Sequence, residues 1–185
     1  MKIALGCGKR NYGNDWLHID GGLFPHVHYY DVVNLPCEDN SADLIYACHL
    51  LEYFDRDEAM YVLKRWRDKL KDGGILRLAV PDFEVMNQLY LANKCSLREI
   101  LGPMYGKWGM NGKYVYHKTV YNFFELTELL CEVGFSDVHK YDWKNTEHAH
   151  IDDHSQAYMC PKGDKENGTL ISLNVEATKW RILIQ

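Results

Sequence analysis

The sequence predicts an α/β domain built on an open, mostly parallel sheet, and three observations predict it. The apolar run Ile3-Ala4-Leu5 stops abruptly at Gly6-Cys7-Gly8. Glycines there let the backbone turn sharply and approach a ligand that a side chain would exclude. A second short run, Leu17-His18-Ile19, ends in the carboxylate of Asp20. In open parallel sheets ligands sit beyond the carboxyl ends of strands, where an acid can accept hydrogen bonds from both hydroxyls of a ribose. Further along, β-rich runs at Asp43 to Ala47 and Ile75 to Val80 flank a segment with helical periodicity. Two strand ends carrying a glycine turn and an acid point to a nucleoside ligand.

Composition narrows the class. The 185 residues suit one domain with a core of its own, and a net charge of −5 leaves no basic field for gripping a phosphate backbone, which excludes nucleic acid as the expected partner. Cys7, Cys37, Cys48, Cys95, Cys131 and Cys160 form no Cys-x-x-Cys pair. Such scatter suits reduced thiols and a cytoplasmic protein better than a disulfide frame or a zinc site. No leader is read at the N-terminus, and no apolar run approaches the roughly 20 residues that span a bilayer, so no membrane partner is expected. Spacing also speaks against a dinucleotide. A Gly-x-Gly-x-x-Gly fingerprint needs a full helix and an acid about 20 residues on, whereas only eleven residues separate Gly8 from Asp20.

The rest of the chain repeats a recognisable order: His28-Tyr29-Tyr30-Asp31, Val33-Asn34-Leu35-Pro36, Asp43-Leu44-Ile45-Tyr46-Ala47, Leu51-Glu52-Tyr53-Phe54, then Leu70-Lys71-Asp72-Gly73-Gly74 leading to Val80-Pro81-Asp82. With Leu5-Gly6-Cys7-Gly8, this order resembles the class I S-adenosylmethionine-dependent methyltransferases, in particular a small bacterial and phage branch. The resemblance covers roughly the first 82 residues and returns in Leu126 to Phe135 and Ile171 to Lys179. It implies a Rossmann-like sheet of seven strands in the order 3-2-1-4-5-7-6, with strand 7 antiparallel, and S-adenosylmethionine as cofactor. The implied cofactor set is Leu5, Gly6, Cys7, Gly8 and Asp20, Asp31 and Val32 at the adenine, and Ala47 and Cys48 after the fourth strand. One position departs from the family, whose members carry an acid or Asn two residues before the first glycine. Here Ala4 stands there.

Taken in order, the first strand begins almost at Met1, and the intervals after Gly8, after Asp20 and after Leu35 are too short for full crossover helices. One sheet face is therefore thinly covered, and because exposed apolar sheet is rarely left bare, either later segments fold back over it or a second subunit forms a homodimer. Asp31 to Pro36 reads as the end of the third strand and a turn, with turn capping as the alternative role of Asp31. Asp43 to Ala47 is the fourth strand and delivers Cys48 and His49 to the ligand edge. Residues just after this strand lie nearest the transferred methyl in the family, so His49 is a candidate base, against the alternative of a structural histidine; Cys48 also reads as packing. Asp55 and Glu58 form a capping pair, and Ala59, Val62, Leu63, Trp66 and Leu70 share one face of a helix ended by Gly73. After the fifth strand, Asp82 is either a second candidate base or the cap of a helix starting near Phe83.

Residues 94–121 are rich in glycine and aromatics and read as an acceptor-binding insertion, with Tyr105, Trp108 and His117 as pocket candidates and an aromatic minicore as the alternative. Phe123 to Val133 is a second amphipathic helix, Val138 to Trp143 the sixth strand and Thr169 to Lys179 the seventh, with Trp180 to Gln185 as an apolar tail. His148, His150 and His154 crowd with Asp152 and Asp153. Such a cluster could hold a transition metal, yet short polar clusters are usually solvated, so no metal is expected. A loop folding over the ligand edge is the other reading.

Methyl transfer needs alignment and removal of the acceptor's proton, for which His49, His117 and Asp82 are the candidate bases. The family's Asn/Asp-Pro-Pro-Tyr motif for amide and exocyclic amine nitrogens is missing, since Ala47-Cys48-His49-Leu50 stands in its place. The expectation is a small-molecule acceptor, a sugar or other metabolite hydroxyl. A module that holds the cofactor without turnover, or another Rossmann-like enzyme such as a dehydrogenase, are the competing readings.

Overall fold

The computed structural model describes residues 1–110 and 112–180. The expected tail at 181–185 lies outside them. The central sheet has six strands: β1 (Lys2–Leu5), β2 (Trp16–Ile19), β3 (Ala42–Cys48), β4 (Leu70–Pro81), β7 (Phe135–Lys140) and β10 (Ser172–Lys179). Their order is β2-β1-β3-β4-β10-β7. Neighbours pair in parallel except β10, which runs antiparallel to both β4 and β7. The expectation of seven strands in the order 3-2-1-4-5-7-6 is corrected here. The stretch expected as the third strand keeps a single bridge, Tyr29 to Ile19. Gly21-Gly22 and Pro25 before it resist an extended ladder, so the sheet edge ends at β2.

Two boundaries also move. α1 (Arg56–Lys69) opens on the Asp55–Glu58 capping box and ends at Lys69 rather than at Gly73. Gly73 lies inside β4 at φ +77°, where the pairing with β3 shifts register between Ala42 and Leu44. It forms the bulge that lets the helix run straight into the strand. β7 begins at Phe135, directly after α4 (Phe123–Val133) and its left-handed cap Gly134, so it sits earlier than the expected Val138 to Trp143.

The sheet has two differently built faces. On one, Ala59, Val62, Leu63 and Trp66 of α1 and Leu126, Leu130 and Val133 of α4 pack on Ile3, Leu5, Ile45, Leu76 and Leu78. On the other, Ala4, Leu44, Tyr46 and Ala79 carry Tyr12, Trp16 and Ile151. No helix is described between residues 6 and 41, and the missing cover comes from the chain's own residues 142–157. His148 lies 4.3 Å from the Tyr46 ring between centroids. One oxygen of the buried Asp153 accepts from both the Tyr12 hydroxyl at 2.9 Å and the Tyr46 hydroxyl at 2.7 Å.

α2 (Phe83–Leu91) and α3 (Leu97–Tyr105) follow β4, and a hairpin of β5 (Trp108–Met110) and β6 (Lys113–Val115) follows them. β8 (Tyr158–Met159) and β9 (Thr169–Leu170) form a second small pair. Among the described residues no helix is long and apolar enough to cross a membrane.

Candidate active site

β1 and β2 end side by side, and their loops are tied together before any ligand arrives. The Gly6 amide donates to the Ile19 carbonyl at 2.8 Å. Asp20 Oδ2 accepts the Gly8 amide and Oδ1 the Gly22 amide, both at 2.7 Å. Each oxygen keeps a further lone pair, so ribose hydroxyls remain within its capacity. Gly6 and Gly8 stand at φ +63° and +57°, the left-handed region that glycine enters without strain. A Cβ on Gly6 would press on Leu50 at 3.1 Å, while one on Gly8 would meet nothing within 4 Å. The space over Gly8 is an open cradle bounded by a carboxylate, which fits an adenosyl group. Leu5, Ala47, Cys7 and Cys48 are buried. Burial, with Asp20 nearby, pushes the Cys7 thiol up to about 12, and burial raises Cys48 well above its ordinary value. Both remain thiols. Ala4 is buried in the sheet, so no side-chain hydrogen bond reaches the loop from that position.

Asp31 is exposed, and its carboxylate anchors a turn: Oδ1 accepts the amides of Val33 and Asn34, and Oδ2 accepts the Asn34 side chain. The Asn34 bonds hold its pKa below the usual range. Val32 packs on the core and its carbonyl accepts Trp66 Nε1 at 2.7 Å.

The fourth expected strand delivers His49 as anticipated from order alone, but its setting is not readable from sequence. His49 has φ +50°, a costly conformation for a residue with a Cβ. It is held by its amide bond to the Ala79 carbonyl at 2.7 Å. Its Nδ1 lies 3.4 Å from Glu52 Oε1. Glu52 is fully buried, and neither carboxyl oxygen has a hydrogen-bonding partner. His117 Nε2 is 3.8 Å from the same Oε1, while His117 Nδ1 meets the Pro103 carbonyl at 3.0 Å. Two of the candidate bases, 68 residues apart in sequence, thus converge on one carboxyl group. Burial holds His49 well below its ordinary pKa and lowers His117 also, so both rings are neutral near pH 7. The same burial pushes Glu52 up to about 8.

Asp82, the third candidate, does not join them: Oδ1 caps α2 by accepting the Glu84 and Val85 amides. The insertion is divided. Tyr105 and Trp108 are exposed, which rules out the minicore, whereas His117 is packed against Gly106, where any Cβ would stand 2.4 Å from Nε2. The hairpin reaches the loop after β2, with Met110 Sδ 3.0 Å from where a Cβ on Gly21 would lie. The histidine cluster separates: His148 is buried on Tyr46, His150 is exposed, and His154 lies with its ring centroid 5.1 Å from that of His49. Among the described residues no three His, Cys, Asp or Glu side chains gather as a metal set. Sequence reading missed Glu52. Its one signal was a charged residue inside the apolar run Leu50-Leu51-Glu52-Tyr53-Phe54.

Residues 5–78 match the family model for the methyltransferase domain. That match covers about two fifths of the chain, which shares the fold of solved S-adenosylmethionine-dependent methyltransferases. S-adenosylmethionine is its cofactor, and the matched span includes both glycines, Asp20, His49 and Glu52. No curated protein matches the sequence. Solved methyltransferases share the fold at low identity. A possible histamine N-methyltransferase from Thermotoga maritima is 16% identical with TM-score 0.57, over 96% of this chain and 81% of that one. The 1,6-didemethyltoxoflavin-N1-methyltransferase of Burkholderia thailandensis, with S-adenosylhomocysteine bound, is 14% identical with TM-score 0.55, over 97% and 71%. The complex of the Haloferax volcanii Trm112 methyltransferase activator with a methyltransferase is matched at 14% identity and TM-score 0.54, over 100% and 83%.

Proposed function

We propose that this methyltransferase acts on the hydroxyl of a small molecule, a sugar or another metabolite, with His49 as the base that takes its proton. The observation that carries this reading is a neutral imidazole at the carboxyl end of β3, adjacent in sequence to Leu50, which packs on Gly6 of the cofactor loop. S-adenosylmethionine supplies a methyl group on a sulfonium that needs no further activation. The chain's own work is then to bind, align and deprotonate. Asp20 and the glycine turn hold the ribose end, and the insertion, leaning on Gly21 through Met110, bounds the acceptor side with Tyr105 and Trp108. His117 and Asp82 are the weaker bases, because the Nδ1 of one and Oδ1 of the other are already engaged. The toxoflavin and histamine neighbours, by their names, act on small molecules, and six free cysteines suit a reducing, cytoplasmic setting. A second reading, a module that holds the cofactor without turnover, is favoured by Ala4 in the place of the family's acid.

Calorimetric titration with S-adenosylmethionine, S-adenosylhomocysteine and NADH tests the cofactor part. Both adenosyl ligands are expected to bind in the micromolar range, and Asp20→Ala to weaken them by on the order of tenfold or more, the loss expected for hydrogen bonds to a charged group. Binding of NADH alone, or of none of the three, overturns the reading.

A further inference from the structure

Glu52 has no ordinary reason to be where it is. A carboxyl group buried without a partner costs several kcal/mol unless it carries or shares a proton, and here two imidazole nitrogens face one of its oxygens. The surrounding bonds fix where protons can sit. A carbonyl only accepts, so His117 donates from Nδ1 to Pro103, and the neutral ring presents a bare Nε2 to Glu52. On the far side of His49, Asn174 Nδ2 donates to the Ser155 carbonyl at 2.9 Å, which turns Asn174 Oδ1 toward Ser172. The Ser172 hydroxyl gives its proton to that oxygen at 2.9 Å and has none left for His49 Nε2, 3.5 Å away. His49 can therefore stand in two forms. With Glu52 ionised, Nδ1 carries the proton toward the carboxylate and Nε2 is a free base. With Glu52 protonated, Nδ1 accepts from the carboxyl group and Nε2 carries the proton toward Ser172.

We propose that Glu52 and His49 form a proton relay, in which His49 takes the acceptor's proton at Nε2 and Glu52 receives the proton that His49 releases at Nδ1. The inference rests on the methyltransferase reading. In the step, the acceptor's O–H bond breaks, one proton enters the imidazole at Nε2 and one leaves at Nδ1. The oxygen keeps the electron pair with which it would bond the methyl carbon, whose bond to the sulfonium sulfur would break with its pair returning to sulfur. His49 ends neutral and Glu52 ends as a neutral acid, so no charge is stranded in the buried cluster. Glu52 acts through His49 and is a positioning residue. Other titratable groups around the pair are Cys48, Tyr53 on the same turn as Glu52, Tyr121 ahead of α4, His117, and His154 and Arg10 near His49.

The test is the tautomer of His49 in the full chain without ligand, read from imidazole ¹⁵N and ¹³C shifts between pH 5 and 9, with signals assigned by His49→Gln and His117→Gln. The expected result is a switch from the Nε2–H to the Nδ1–H form with a midpoint near 8, where burial places Glu52. Glu52→Gln should abolish the switch, and His117→Gln should leave it in place. A His49 that keeps one tautomer from pH 5 to 9, or a switch that survives in Glu52→Gln, overturns the relay. Thermal stability provides a second readout. A carboxyl group raised in the folded state is most favourable below its unfolded pKa, so wild-type Tm should fall relative to Glu52→Gln as pH rises from 5 to 8; parallel Tm curves overturn it. Failure of the reading beneath is separable, because S-adenosylhomocysteine binding is measured apart from the tautomer. Wild type that switches but does not bind it overturns the role in methyl transfer, and wild type that binds it without switching overturns the relay alone.

Discussion

The two faces of the sheet do the same job with different chemistry. One is covered by α1 and α4, whose apolar side chains at three-and-four spacing lay aliphatic surface and Trp66 onto the strands. The other is covered by loops, whose Tyr12, Trp16 and His148 meet Tyr46 of β3 edge-on or tilted at ring separations of 4.3 to 6.4 Å around a buried carboxylate. A helix satisfies its own backbone and needs only an apolar stripe to pack. An irregular segment must find partners for each polar group it buries, and here side chains supply them: Gln156 Nε2 donates to the Ala149 and Ile151 carbonyls, and the Tyr12 amide donates to His18. The helical face is held by volume and the loop face by hydrogen-bond accounting.

That contrast can be broken at its largest element first. Trp66 is wholly buried at the centre of the helical face, and Trp66→Ala should cost about 3–5 kcal/mol in a denaturant titration, through lost transfer energy and the cavity left behind. An effect below 1 kcal/mol would mean that α1 contributes little to the core. On the loop face the corresponding change is Asp153→Ala, which removes little apolar area but leaves two tyrosine hydroxyls without an acceptor. At about 1–2 kcal/mol for each stranded neutral hydroxyl, the lower part of the usual range, a loss of about 2–4 kcal/mol is expected. Limited proteolysis should then cut between residues 142 and 157, because the cover loses its tie to β3 and to the loop before β2. Unchanged protection there would show that stacking alone holds the segment.

The same contrast explains what the sequence made legible. α1 and α4 were readable because a 3.6-residue period and a capping pair such as Asp55 and Glu58 are local signals. The glycine turn and Asp20 were readable because strand ends in this architecture place ligands. The third strand was over-read, since Tyr29 and Tyr30 have strand propensity but only one bridge forms; pairing is decided by what lies beside a strand, which propensity does not report. His148 to His154 offered no more than a solvated cluster or a metal set as readings because their spacing is local, while their partners Tyr46, Arg77 and His49 lie roughly 70 to 105 residues away. Glu52 was missed for the same reason. Its meaning depends on His117, brought in by an insertion whose path no periodicity predicts.

The smallest effect gives the sharpest comparison. Tyr12→Phe removes one of the two hydroxyls bound to Asp153 and should cost about 1 kcal/mol in the wild-type background, the net value of one buried hydrogen bond. In the Asp153→Ala background the sign should invert, because the hydroxyl is already stranded and replacing it with hydrogen relieves its desolvation cost. The coupling energy of the cycle, about 1–3 kcal/mol, then measures how far the loop face is held by polar pairing. Additive effects of the two substitutions would mean that water already satisfies Tyr12 when Asp153 is absent. The loop face would then be held, like the helical one, by packed volume.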